Sequence, residues 1–471
     1  MMNDFLKIMM IFNYVVLFYF LSLITIYFIL NFVSFFRILR YKNKIEFADL
    51  ERIFKLKNYK PISVIVPAYN EGNNIVENVK SLLQLIYPQF QLVVVNDGSK
   101  DDTLQKLIDN FSLKEISFPD LYKIKSEKIK AVYKSQEVHN LTVVDKANGG
   151  KADAINAGIN VAKYPLITVI DADSLLERDC LLKIAQPFIE NENVVAVGGT
   201  IRIANGCEVK KGHIINVGLS KNWLARFQVV EYLRAFLFGR TGFDALNGIL
   251  IISGAFSCFK RDAVVEIGGY RRGSIGEDME IVMRLHKHFR KINPSTRITF
   301  IPDPICWTEA PESLKILMRQ RTRWQKGTIE SLLLHKDLLF NVDYGLMGLI
   351  VVPYYLIYEF LGPIIEFFGY IFFFLSLLLG ILSFEFTIAF LAAAILYGIL
   401  LSVLSVILEE LSFKKYPKVQ HLLILFLTAI VENFGYRQLT TWWRFKGTVE
   451  FFLGKRSWGT MERKGFKSNT K

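Results

Sequence analysis

Four short patterns in this chain carry residue types suited to chemistry. Asp97 stands in Val95-Asn96-Asp97-Gly98-Ser99, and Asp171 and Asp173 flank Ala172. Glu277-Asp278 follows Gly276, and Gln320-Arg321-Thr322-Arg323-Trp324 comes last. A carboxylate in a Gly-Ser turn after an apolar run can accept hydrogen bonds from a base or a ribose, and Gly98 lets the backbone approach closely. The same tripeptide is also a common turn. In an extended segment Asp171 and Asp173 would point the same way. Two carboxylates on one face, with no basic residue nearby in sequence, are costly unless a cation bridges them. Mg²⁺ or Mn²⁺ suits such oxygen ligands and binds together with phosphates. The bland alternative is a turn that caps a helix at Ser174.

Lys151 ends Asn148-Gly149-Gly150-Lys151. A glycine-rich turn that opens a helix and carries a lysine suits an anionic ligand. Its glycine spacing is not that of a Walker loop, so ATP is not indicated, and a plain loop-to-helix junction would read the same. Glu277 and Asp278 precede the helical stretch Met279 to His288. They could cap that helix or supply a general base for an acceptor hydroxyl. Gln320, Arg323 and Trp324 lie on a basic helix. Arg323 could neutralise a departing diphosphate, and Trp324 offers a flat face to a sugar ring. A basic helix resting on lipid headgroups, with Trp as an interfacial anchor, fits the same residues. His286 and His288 read as surface residues of a helix.

The elements that must position these side chains alternate between strand and helix. Ile62 to Val66 ends at Pro67, Leu92 to Val95 at Asn96-Asp97-Gly98, and Leu166 to Ile170 at Asp171. Short β-branched runs with polar residues at their C-terminal ends are the pattern of a parallel α/β sheet with ligands outside its carboxyl edge. Residues 111–140 are charged and read as a surface excursion. Residues 219–239 fit an amphipathic helix at a membrane interface or an ordinary helix packed on the domain. Residues 312–340 read similarly.

Hydrophobic residues make up 52% of the 471, and Phe occurs 39 times. That excess calls for membrane segments. Residues 11–36 form a long apolar run without a cleavage site, so they read as a retained transmembrane helix. Arg37, Arg40, Lys42 and Lys44 follow, which places residue 37 onward in the cytosol. From Leu346 the chain is apolar again, at about 346–365, 367–383, 386–408 and 421–436, giving four expected crossings. This puts Lys414, Lys415 and Lys418 outside, against the positive-inside rule, unless one segment is re-entrant. Glu359 and Glu366 lie within this apolar block and become functional candidates if buried; otherwise they cap a break at Gly362-Pro363. The net charge of +13 is assigned to basic flanks facing anionic lipid, not to nucleic acid. Cys180, Cys207, Cys258 and Cys306 are far apart, which disfavours a zinc site and fits a reduced compartment.

Together, Pro67-Ala68-Tyr69-Asn70-Glu71, Asp97-Gly98-Ser99, Asp171-Ala172-Asp173, Glu277-Asp278 and Gln320-x-x-Arg323-Trp324 resemble the motifs of processive, membrane-embedded family 2 glycosyltransferases. That family includes bacterial cellulose, hyaluronan, chitin and poly-N-acetylglucosamine synthases. The resemblance implies an α/β GT-A (Rossmann-like) domain joined to an α-helical transmembrane domain. The implied division is an N-terminal transmembrane helix (1–40), the cytosolic GT-A domain (55–310), interface helices (311–343), C-terminal transmembrane helices (344–440) and a basic cytoplasmic tail (441–471). It implies that Tyr69, Glu71 and Asp97 hold the uridine, that Asp171 contacts the nucleotide and that Asp173 ligates the Mg²⁺ or Mn²⁺. Lys151 would lie near the diphosphate. Ser253-Gly254-Ala255 would border the acceptor, with Glu277 beside it, and Asp278 would be the base. Gln320, Arg323 and Trp324 would bind the diphosphate and stack the acceptor.

The implied enzyme is an inverting transferase of the plasma membrane with a cytoplasmic catalytic domain. It would use UDP-glucose or UDP-N-acetylglucosamine to extend a β-linked polysaccharide, with possible accessory export subunits. The alternative is a non-processive enzyme acting on a lipid carrier. Residues 437–471, which follow Tyr436, are too few for the cyclic-dinucleotide domain that cellulose synthases often carry, so such control is not expected.

Overall fold

The computed structural model describes residues 2–47, 59–119 and 123–455. Its strands are β1 (Ile62–Ala68), β2 (Phe90–Asn96), β3 (Leu113–Ile116), β4 (Ile129–Ser135), β5 (Leu141–Lys146) and β6 (Leu166–Ile170). They continue with β7 (Leu175–Leu176), β8 (Val194–Ile203), β9 (Glu208–Lys210), β10 (His213–Asn216), β11 (Phe256–Lys260) and β12 (Arg297–Thr308). Ten of them form one sheet in the order β3-β4-β5-β2-β1-β6-β11-β8-β12-β7. β5, β2, β1 and β6 run parallel. Their residues are buried almost without a break, as expected of strands covered on both faces.

The sheet is mixed, not purely parallel. β11 runs antiparallel to both β6 and β8. The reversal has a simple cause: the chain enters β11 from Ser253-Gly254-Ala255 at the carboxyl edge, so it must run back. That entry point places the tripeptide beside Asp171, whose N–H donates to the Ala255 carbonyl at 3.4 Å. Residues 111–140 are no mere excursion either, because β3 and β4 extend the sheet beyond β5 in antiparallel pairing.

One helix, Met2–Phe47, contains the whole N-terminal apolar run. The Trp223–Leu233 helix continues into a wider turn at Arg234–Arg240. It packs between β8 and the helices Tyr397–Ser412 and Val419–Val431. A second core joins the two regions: Ile203, Val230 and Leu237 pack with Ile38, Val406 and Leu425.

The four expected C-terminal crossings are not four helices. Met347–Phe360 and Gly362–Leu378 form one path bent by 43°, so the first two apolar runs belong together. Gly362–Leu378 has 17 residues, short of the roughly 20 that a bilayer needs. Phe384–Ser412 is long and apolar enough to cross, as is Leu6–Lys44, and Val419–Val431 with Tyr436–Phe452 is a second bent pair, at 58°. Counting each bent pair as one span gives up to four in all. The lysine loop makes its contacts with the sheet domain. Lys415 lies 3.4 Å from Glu177, and the buried Glu409 pairs with Arg202 at the end of β8. The Lys414–Lys418 loop therefore sits against the sheet domain.

Candidate active site

The parallel strands deliver their functional residues to one edge. Asp97 follows β2, Asp171 follows β6, and Lys151 opens the Lys151–Val161 helix after β5. Asp171 and Asp173 do not form an extended pair. They lie in a turn in which the Ser174 N–H donates to the Asp171 carbonyl at 3.0 Å. Asp171 also has the basic neighbour that local sequence did not show, since Lys151 Nζ is 2.5 Å from its Oδ1.

Lys151 is the hub of the site. Its Nζ is 3.7 Å from Glu277 Oε1 and donates to the Gly254 carbonyl at 3.3 Å. Burial alone would lower the pKa of this ammonium. Asp171 and then Glu277 outweigh that effect, and the pKa is raised. The Glu277 carboxyl is pushed up chiefly by burial, against the pull of Lys151, with Asp278 raising it further and Arg323 lowering it. Asp278 takes the second position of the Glu277–Ile292 helix, and its Oδ1 accepts from the Met279 N–H at 2.9 Å. Gly254 keeps this space open. A Cβ there would stand 3.3 Å from Lys151 Nζ and 3.5 Å from Asp278 Oδ2.

Gln320, Arg323 and Trp324 come from the Leu314–Leu334 helix, capped by Ser313. Trp324 is 40% exposed, and the Arg321 guanidinium covers one ring face at 4.2 Å. Arg321 is itself held by Glu231 at 2.7 Å, and the Tyr436 hydroxyl donates to that carboxylate at 2.9 Å.

A cavity of about 540 Å³ runs through this constellation. Lys151, Asp171, Ser253, Gly254, Glu277, Asp278, Gln320, Arg323 and Trp324 line one part of it. Tyr19, Tyr27, Tyr354, Tyr355 and Tyr358 from the apolar helices line another, with Glu359, Glu366 and Arg444. Glu359 pairs with Arg444 at 2.8 Å. Glu366 accepts from the Tyr19 hydroxyl at 3.1 Å and from Thr441 at 2.9 Å. The two glutamates are thus cavity residues with partners. The tyrosines were missed because a hydropathy reading counts them as apolar.

Tyr69, Glu71, Asp97 and Asp173 lie outside the cavity lining, along the carboxyl edge of the sheet. Tyr69 is exposed and Asp97 is buried. Both Asp97 oxygens are engaged. Oδ1 accepts from Lys146 Nζ at 2.5 Å and from the Gly149 N–H at 3.0 Å, while Oδ2 accepts from the Gly150 N–H at 2.8 Å. Asp97 therefore shapes the turn that leads into Lys151.

His286 is not a surface residue. It is fully buried, with Nε2 2.8 Å from the Ile249 carbonyl, and burial, aided by Arg290, lowers its pKa to about 3. His288 does lie at the surface, beside Glu266. Among the described residues no group of three or more His, Cys, Asp or Glu is arranged to hold a metal. A hard divalent cation does not require such a cage, because one or two carboxylates plus substrate phosphates commonly bind it. The carboxylates of the Asp171–Asp173 turn fit that chemistry.

Comparison with known proteins adds two family matches. "Glycosyl transferase family 2" matches residues 63–268. "Glycosyl transferase family group 2" matches residues 166–430, more than half the chain. Poly-beta-1,6-N-acetyl-D-glucosamine synthase of Staphylococcus epidermidis is 28% identical over 273 residues, covering 58% of this chain and 55% of the relative. The Staphylococcus aureus (strain MSSA476) protein of the same description has the same figures. The match thus spans about half the length of these curated relatives. The solved structure of a mannosyltransferase from Pyrobaculum calidifontis, in complex with GDP-Man and Mn²⁺, aligns with a TM-score of 0.52 at 16% identity. It covers 90% of this chain and 99% of that one. The shared fold is GT-A.

Proposed function

The chain belongs to glycosyl transferase family group 2, and from that premise we propose that it is an inverting, membrane-embedded polysaccharide synthase. It would transfer hexosyl units from a UDP-sugar to a growing β-linked polymer and pass the product through its own helices. The observation that carries this reading is the continuous cavity from Asp278 and Lys151 to Tyr19 and Glu366. A transferase that released each product into water would need no such path. The staphylococcal relatives favour UDP-N-acetylglucosamine over UDP-glucose as donor.

In this reading Tyr69, Glu71 and Asp97 border the nucleoside, and Asp171 and Lys151 face the diphosphate. Asp173 would hold Mg²⁺ or Mn²⁺, which supplies positive charge to the leaving diphosphate. Asp278 takes the proton of the acceptor hydroxyl. The hydroxyl oxygen bonds to the anomeric carbon as the bond to the diphosphate breaks, and the electron pair leaves with UDP. Lys151 and Arg323 stabilise the charge that develops there. A single displacement inverts the configuration and needs no covalent nucleophile. Ser253, Gly254 and Glu277 border the acceptor, and Gln320 and Trp324 hold it at the entrance to the helices. The catalytic domain would face the cytoplasm.

The test incubates purified full-length protein in detergent with each radiolabelled UDP-sugar and a divalent metal. A high-molecular-weight product cut by one linkage-specific hydrolase is expected. A lipid-soluble monosaccharide as sole product would replace this reading by transfer to a lipid carrier. Asp278→Asn should lower turnover by about 10²- to 10⁴-fold, the usual worth of a general base, with UDP binding nearly intact. Undiminished turnover would remove Asp278 from that role.

A further inference from the structure

We propose that Lys146 is a positioning residue for the donor: it holds Asp97 and Asp153 across one buried ammonium and so fixes the turn that presents Lys151. The proposal rests on the donor reading above.

Lys146 ends β5 and is completely buried. An ammonium has three N–H donors, and all three are used. They go to Asp97 Oδ1 at 2.5 Å, Asp153 Oδ1 at 2.6 Å and the Ala147 carbonyl at 2.6 Å. Asp153 is also fully buried. It accepts from the Glu127 N–H at 3.0 Å and pairs with Arg272 Nε at 2.7 Å. Arg272 lies in the segment that leads to Glu277-Asp278, and Tyr270 of that segment exchanges hydrogen bonds with Asn156 at 2.7 and 2.9 Å. One chain of charges therefore runs from the sheet edge beneath the turn to the segment before the base.

The Asn148–Lys151 turn depends on Asp97 for its position. Gly149 and Gly150 donate their N–H groups to it, as does the Asn148 side chain at 3.2 Å. Without Lys146, two buried carboxylates would face each other with only Arg272, on the Asp153 side, and neutral N–H donors to offset their charge, which a folded interior tolerates poorly. The cheapest relief is movement of Asp97, and the turn and Lys151 would move with it.

This logic sets the test. UDP affinity is measured by titration calorimetry on full-length protein in detergent. Lys146→Met keeps the length of the side chain and removes its charge. It should weaken UDP binding by about tenfold or more, the size of a lost charged contact. Adding Asp153→Asn removes one of the two opposed charges and keeps an acceptor for Glu127 and Arg272. The double variant should recover most of the lost affinity, whereas a mere packing role predicts no recovery. Wild-type affinity in Lys146→Met, or a double variant no better than the single, would overturn the proposal. If Lys146→Met does not fold, Arg272→Gln at the exposed end of the chain carries the test. It should weaken UDP binding at unchanged melting temperature, and unaltered binding would overturn the proposal. If the wild type itself binds no UDP, the donor reading fails instead.

Discussion

Gly276 and Gly327 meet with no side chain between them. A Cβ built on Gly276 would stand 2.8 Å from the Gly327 Cα, and one on Gly327 would stand equally close to the Gly276 Cα. This crossing sets the start of the Glu277–Ile292 helix against the helix that carries Gln320, Arg323 and Trp324. Glu330 pins it by accepting from Ser274 Oγ at 2.8 Å and from the Ile275 N–H at 2.7 Å. The need for glycine is steric: Gly276 has φ −118°, open to any residue. Gly327→Ala should push the two helices apart. A misplacement of about 1 Å can cost on the order of 10²-fold in rate. We expect a loss of that size in kcat, with UDP affinity unchanged in parallel titrations. Equal kcat would mean that the helices can absorb the methyl group.

Metal removal should stop transfer. If Asp173 holds the ion together with the substrate diphosphate, the ion should exchange readily. Dialysis against EDTA should abolish sugar incorporation, and added Mn²⁺ or Mg²⁺ should restore it. Asp173→Asn should raise the metal concentration needed for half-maximal rate about tenfold or more, within the usual loss on altering a metal site. An unchanged metal requirement would place the ion elsewhere.

The strand ends were legible in the sequence because a β-branched run closed by an acidic turn has few other readings. Asp97 and Asp171 stand out that way, while Glu277-Asp278 is marked by its place at the start of a helix. Their partners were not. Lys151 and Asp171 belong to different β-α units, and only the pairing of β1 with β2 and β6 brings those units together. Lys146 looks like any other lysine until β5 buries it. Glu359 and Glu366 stood out because a charge in an apolar block is conspicuous, while Tyr19, Tyr27, Tyr354 and Tyr358 merged into the hydropathy of their helices. The bends were not legible, because composition does not register a 43° change of direction at Leu361.

The cavity can be plugged at one point. Gly239 lines it, and a Cβ there would meet nothing within 4 Å. Gly239→Trp should therefore fold normally and fill the path. Polymer yield should fall well below wild type while UDP binding persists. Full-length product from this variant, sized by gel filtration, would mean that the polymer leaves by another route.

Acid should weaken the fold through His286. The folded state keeps this ring neutral down to about pH 3, whereas an unfolded histidine takes up a proton near 6.5. Its folded pKa is the lower of the two, so stability is lost as pH falls from about 6.5 towards 3. The slope for one such group approaches about 1.4 kcal/mol per pH unit. The melting temperature should drop between pH 7.5 and 5, and His286→Gln, which can still donate to the Ile249 carbonyl, should flatten that drop. An equal drop in the variant would assign the acid sensitivity to other groups.

The core shared by Ile203, Val230, Leu237, Val406 and Leu425 bears on how the protein is made. The ribosome releases β8 and the Trp223–Leu233 helix long before Phe384–Ser412 exists. Until that helix is made, Arg202 lacks the Glu409 carboxylate and an apolar flank of the sheet stays bare. Such surface draws chaperones, proteases or neighbouring chains. Completion of this core therefore waits on the synthesis of the C-terminal helices. A fragment ending before residue 384 would be an arrested biosynthetic intermediate, not a soluble catalytic unit.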